Sequence, residues 1–317
     1  MLEDRDEVSC PLIRDLFHKR WFVLIMWQVC SFFLCAMGVV VTLIDRINGS
    51  TLTFFQLLIT YGMLSLAHIW HIESSDIALW KYICVAVLNC MGDGFSVISY
   101  SYTSLASSLL LTTTVVFWVV PLSYLVFKRK FSIPQLLALL LGLAGMVFVF
   151  IADGTAGSRW KGNMFAIFSA MSFAGSTVLQ EYLVHNASAI AYLTRFGMSA
   201  TVITGILTGA FEWKQIRSYN FSVKVVLLIL LYALIQTIYY TFCPFIMQHS
   251  TAAEMNLSFL TSNFLSLLIS ILAFGQKASW LYLVGFFCIP IAIAIYSLFP
   301  PKEQKVDDRS NDEEEQS

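Results

Sequence analysis

Charge is what this sequence lacks most. Asp, Glu, Lys and Arg make up only 12% of its 317 residues, about half the share in an ordinary soluble domain. A water-soluble globule of this length is excluded. Other chemistries are missing too. The seven cysteines form no CxxC pair and do not gather in loops, which argues against a disulfide framework or a zinc site. No GxSxG, HExxH or Walker phosphate loop occurs, so the chain reads as non-enzymatic, without cofactor or metal, and with no ATP-driven step of its own. Net charge is −1, and no basic block marks a nucleic-acid partner. The opening "MLEDRDEVSC" is acidic and polar, unlike a cleaved signal peptide.

Apolar sequence fills the space. Hydrophobic residues reach 58% and mean hydropathy is +0.73. Bilayer spans of about 20 residues each are the natural sink for them. Ten such stretches are predicted: 21–44, 52–72, 78–100, 103–127, 133–152, 162–184, 189–211, 224–247, 251–274 and 279–299. The expectation is an all-α membrane protein with ten transmembrane helices and the lipid bilayer as its first partner. "DRINGS", "ESSD", "KRKFS", "DGTAGSRWKG" and "EWKQIRSYN" punctuate the spans. Residues 1–20 read as a cytoplasmic segment and 301–317, "KEQKVDDRSNDEEEQS" with its flanking proline, as a disordered acidic cytoplasmic tail. Twelve of the 19 Lys and Arg fall on the N-terminal side of the membrane and seven on the other. The bias places both termini in the cytoplasm. The expected location is the plasma membrane or a Golgi or endosomal membrane; nothing in the sequence assigns an oligomeric state.

An internal repeat organises the spans. Shifted by 147 residues, "SLASSLLLTTTVVFWVVPLSYLVFKRKFS" falls on "TAAEMNLSFLTSNFLSLLISILAFGQKAS". Nine of the 29 ungapped positions are then identical, among them Ala106, Leu110, Thr114, Phe117, Lys130 and Ser132. The shift spans five helices, an odd number, so the copies lie in opposite orientations. The halves are 21–152 and 153–300, a five-plus-five inverted repeat. This is the architecture of many secondary transporters, with the substrate site near the midplane.

Polar residues inside the spans are the candidate site. Asn89 and Asp93 are four apart on one face of the third span, beside Gly92 and Gly94. An intramembrane acid is a functional candidate by default. Gln236, Tyr239 and Tyr240 make an i, i+3, i+4 patch that suits a flat, polar-edged ligand, and Tyr102 adds a further ring. In the ninth span Asn256, Phe259, Asn263, Ser266 and Ser270 recur at 3,4,3,4 spacing. Such a stripe is either interhelical hydrogen bonding or a cavity wall. Glu254 lies three residues after Thr251, the spacing of a capping box, and is read with Glu181 and Arg195 as a gating or coupling residue. His68 and His71 flank a span end and read as interfacial rather than metal-binding.

The segments "SYSYTSLASSLLL", "LQEYLVHNASAIAYL" and "STAAEMNLSFLTSNFLSLL" resemble the F branch of solute carrier family 35, within the drug/metabolite transporter superfamily. The resemblance implies a ten-helix carrier working on a small-molecule solute, with proton or ion coupling as a further expectation. Nucleotide-sugar carriers of the wider family carry an FYNN-type motif in the seventh span and a GxxNK-type motif in the ninth. The seventh span here reads "AYLTRFGMSATVITG" and the ninth lacks that lysine. A nucleobase-like or nucleoside-like solute is therefore expected. The alternatives are a nucleotide-sugar carrier of the Golgi or endoplasmic reticulum, and a non-transporting membrane protein that retains the carrier fold.

Overall fold

The computed structural model describes residues 20–70, 77–115, 117–119, 122, 132–153, 159–249, 255, 259–275 and 279–298. Among them there is no strand. The helices are α1 (Arg20–Asn48), α2 (Thr53–His68), α3 (Leu79–Tyr102), α4 (Leu105–Thr112) and α5 (Ile133–Asp153), then α6 (Arg159–Asn186), α7 (Ala189–Ser218), α8 (Val223–Met247), α9 (Leu260–Leu272) and α10 (Trp280–Leu298). Of these, α1, α3, α6, α7 and α8 are long and apolar enough to cross a membrane. The terminal segments 1–19 and 299–317 lie outside the described residues, as do 116, 120–121 and 123–131 after α4, where 115, 117–119 and 122 are helical.

Local chemistry sets the boundaries. Where α3 meets α4 the sequence offers only a short polar break, yet Thr103 turns extended and Ser104 caps α4 by accepting from the Ser107 amide at 3.0 Å. Ser188 caps α7 and Ser222 caps α8 in the same way, through the amides of Ala191 and Val225. Several boundaries depart from expectation: the first helix runs on to Asn48, through most of "DRINGS", and α4 ends at Thr112, but one departure builds a contact. The seventh span does not end at 211 but continues to Ser218 through a π-turn at Thr208–Glu212. The segment read as a loop, "EWKQIRSYN", is mostly helix. The wider turn puts the Glu212 carboxylate over the start of α2, where it accepts from the amides of Phe54 at 3.0 Å and Phe55 at 2.8 Å. Those amides open a helix and have no partner within it.

The bundle is apolar on its outer faces and through most of its core, with the buried polar side chains confined to inward-facing stripes. On α8, Leu227, Leu230, Leu231 and Leu234 are exposed, whereas Tyr232, Gln236 and Cys243 on the opposite face are buried. Large aromatic side chains fill the interior; Trp27, Tyr61, Tyr82, Tyr192, Phe196 and Phe286 are fully buried. Helices pack α3 on α6, α5 on α10, α2 on α7 and α1 on α8. Further contacts join α2 to α8, α3 to α7, α4 to α6, α1 to α9 and α4 to α9. Glycine allows the closest of these. A Cβ on Gly285 of α10 would lie 2.7 Å from the Gly145 carbonyl oxygen of α5, so only small residues fit that crossing.

Candidate functional site

Four residues apart on a helix means one face, and α3 uses that spacing to turn Asn89 and Asp93 inward together. Asp93 is 6% exposed and Asn89 5%. Around the Asp93 carboxylate three helices converge. Oδ2 accepts from the Tyr61 hydroxyl of α2 at 2.5 Å, from the Tyr240 hydroxyl of α8 at 2.6 Å and from Gln236 Nε2 of α8 at 2.9 Å. Asn89 closes the network from the other side. Its Nδ2 donates to the same two hydroxyls, at 2.9 Å to Tyr61 and 2.6 Å to Tyr240, while its Oδ1 accepts from Ser176 of α6 at 3.0 Å. Each tyrosine hydroxyl thus accepts from an amide and donates to a carboxylate, a satisfied polar chain in an apolar bundle.

The network forms one wall of a cavity of about 120 Å³. Helices α1, α3, α4, α6 and α8 contribute to the lining, with Met255, Phe259 and Ser262. Its polar groups beyond the network include Ser96, Thr112, Thr113, Thr177, Gln180 and Ser262. Rings supply much of the rest, with Tyr239 and Phe259 lying 6.3 Å apart across one corner. Among the described residues neither Lys nor Arg is in the lining.

Of the residues singled out from sequence, Asn89, Asp93, Gln236, Tyr239 and Tyr240 come together on this cavity. Tyr102 does not; it lies at the end of α3, 42% exposed and stacked on Phe165. Asn263 and Ser266 are fully buried behind the wall rather than in it. Asn263 Nδ2 donates to the Thr113 hydroxyl at 3.0 Å, and Ser266 donates to the Asn263 carbonyl at 2.8 Å. Arg195 is turned away from the cavity: it donates to the Ile77 carbonyl at 3.2 Å and lies over the Tyr82 ring. Glu181 stands near the end of α6, outside the lining, its carbonyl 2.8 Å from His185 Nδ1. Glu254 and Asn256 lie outside the described residues. Sequence reasoning missed Tyr61 and Ser176 of the network, and Ser96, Thr112, Thr113 and Thr177 of the lining; Tyr61 is the most consequential of them. A signal existed, since the buried Thr53, Gln56, Thr60, Tyr61 and Leu64 trace one face of α2.

Known proteins share this sequence and this fold. The family described as solute carrier family 35 matches residues 16–298. An uncharacterized solute carrier family 35 member of Schizosaccharomyces pombe is 26% identical over 310 residues, covering 91% of this chain and 60% of that protein. Solute carrier family 35 member F2 of Mus musculus is 27% identical over 230 residues, 70% of this chain and 61% of that one. The chain therefore spans about three fifths of the length of these two relatives. Member F2 of Xenopus tropicalis is 22% identical, over 90% of this chain and 78% of its own. A crystal structure superposes with a TM-score of 0.58 at 15% identity, covering 86% of this chain and 96% of its own, which shows a shared fold.

Proposed function

The chain belongs to solute carrier family 35, and from that premise we propose that it is a secondary carrier moving a small organic solute by alternating access. The coarser part is plain: it is an integral membrane protein whose relatives are solute carriers rather than enzymes. The observation that carries the finer part is a hydrogen-bonded polar network walling a cavity inside an otherwise apolar bundle.

Helix pairing supports two inverted halves. Advance each helix by five, cyclically, and α3–α6 becomes α8–α1, α2–α8 becomes α7–α3, and α4–α6 becomes α9–α1. The contacts α2–α7, α4–α9 and α5–α10 map onto themselves. Two halves with matching interfaces can rock about a shared centre, and residues of both proposed halves line the cavity. In this reading both termini are cytoplasmic. A tag at either end that reacts with antibody in unpermeabilised cells contradicts that orientation.

The lining favours a flat, polar-edged solute such as a nucleobase or nucleoside over a nucleotide sugar. A sugar diphosphate carries about two negative charges that need cationic partners in a desolvated site, and among the described residues the lining has no Lys or Arg. Amides and tyrosine rings suit heteroaromatic edges and faces. Uptake into proteoliposomes tests the proposal. Nucleosides or bases are expected to compete for uptake and nucleotide sugars are not; the reverse pattern rejects the solute class.

A further inference from the structure

Asp93 brings a negative charge into the bundle, and among the described residues no cation lies against it. Its Oδ2 accepts from three donors, all uncharged: two tyrosine hydroxyls and an amide. Uncharged donors solvate a carboxylate, but they bring no compensating charge to it. The titratable groups acting on it from the packed helices are Tyr61 on α2, Cys90 and Tyr100 on α3, and Tyr232 and Tyr240 on α8. Tyrosine and cysteine are ordinarily neutral at pH 7. Arg195, on the helix next to α3, spends its guanidinium on Ile77 and Tyr82. An unpaired buried charge is among the least favourable features a protein interior carries, and more so within a membrane. Yet Asp93 lines a cavity, where a charge can be cancelled by what enters.

We propose that Asp93 is the charge-recognition point of the carrier and takes the positively charged nitrogen of an organic cation. The inference rests on the carrier reading and narrows the solute to a flat heteroaromatic molecule bearing a cationic nitrogen. The rest of the lining agrees. Tyr239, Tyr240 and Phe259 present ring faces and edges beside the carboxylate, and aromatic faces attract ammonium and pyridinium groups. A bare metal ion fits less well, because Oδ2 is already crowded by donors and a hard cation needs six or so oxygen ligands.

The test uses the full-length chain in sealed liposomes at pH 7.4. They are exposed to the small-molecule fraction of an aqueous cell extract, spiked with 1-methyl-4-phenylpyridinium and uridine as cationic and neutral markers. Protein-dependent uptake is read by mass spectrometry and sorted by net charge, with empty liposomes as the baseline. Cationic species are expected to dominate, and Asp93→Asn to lower their uptake at least about tenfold, the effect of losing one charge-assisted contact. Asp93→Glu is expected to retain part of it. Uptake dominated by neutral or anionic species overturns the charge assignment and leaves the carrier reading standing. So does cation uptake that Asp93→Asn leaves unchanged. No uptake of any species above the baseline overturns the carrier reading, and this inference with it. The sorting by charge is read on the unaltered chain, so the result does not depend on whether the variants fold.

Discussion

The Tyr240 hydroxyl on α8 donates to Asp93 Oδ2 on α3 at 2.6 Å, while accepting from Asn89 at the same distance. The two residues are 147 apart in the chain and belong to different halves of the proposed repeat. Their bond joins those halves beside the cavity, so any rocking of one half on the other must break or reorient it.

Tyr240→Phe keeps the ring and removes that bond. One donor to the carboxylate and one acceptor for Asn89 are lost together, at about 1–3 kcal/mol. Thermal unfolding in detergent is expected to show the loss, and transport to fall with it. Tyr61→Phe acts on the same oxygen and the same amide, so the double variant is expected to be non-additive. Strict additivity would show that the two hydroxyls do not share one network.

Glu212 is expected to matter for stability. Its carboxylate satisfies two amides at the start of α2, and removing such a cap costs about 0.5–2 kcal/mol. Glu212→Ala should lower the unfolding temperature and Glu212→Gln should lower it less. Equal unfolding temperatures for all three chains would mean that the cap contributes nothing.

Gly285 sits at the crossing of α5 and α10. In Gly285→Ala the new methyl meets the Gly145 carbonyl oxygen at 2.7 Å and the Val149 side chain at 2.8 Å. Backbone cannot step aside as a flexible side chain does, so overpacking by about 1–3 kcal/mol is expected. Gly62→Ala is the control, since nothing lies within 4 Å of its added methyl and alanine is the better helix former. A stable Gly285→Ala chain would contradict the packing described for this pair.

Asn263 acts on the cavity through Thr113, which it bonds at 3.0 Å and which lines the wall. Asn263→Ala and Thr113→Val are each expected to reduce transport, and together to reduce it little further than either alone. If Asn263→Ala leaves rate and affinity intact in a normally folded chain, the α4–α9 bond has no part in solute handling.

How much of this was legible in the sequence varies residue by residue. Asn89 with Asp93, and Gln236 with Tyr239 and Tyr240, are pairs within one helix, where spacing alone fixes a shared face. Tyr61 is different. It is 32 residues from Asp93, and its role exists only because α2 packs against both α3 and α8, which no local pattern announces. The stripe on the ninth span was legible as a face, but periodicity cannot say whether that face meets a neighbour or a void. Asn263 meets Thr113 across the packing with α4 and Ser266 turns back onto the Asn263 carbonyl of its own helix, whereas Phe259 meets the cavity. Glu212 was hidden in a charged segment that reads as a loop; the π-turn that buries it, to 6% exposure, depends on the amides of α2 waiting opposite.

The central claim is that the cavity is reached from both sides of the membrane in turn, and cysteine accessibility tests it most directly. Thr177, on the wall contributed by α6, is replaced by Cys in a chain whose native cysteines are serine or alanine. A membrane-impermeant maleimide is then applied from one side or the other of sealed, oriented vesicles. Labelling of Thr177→Cys from each side separately, without a leak of small ions through the same vesicles, is the predicted result. Labelling from one side only, or from neither, would contradict alternating access.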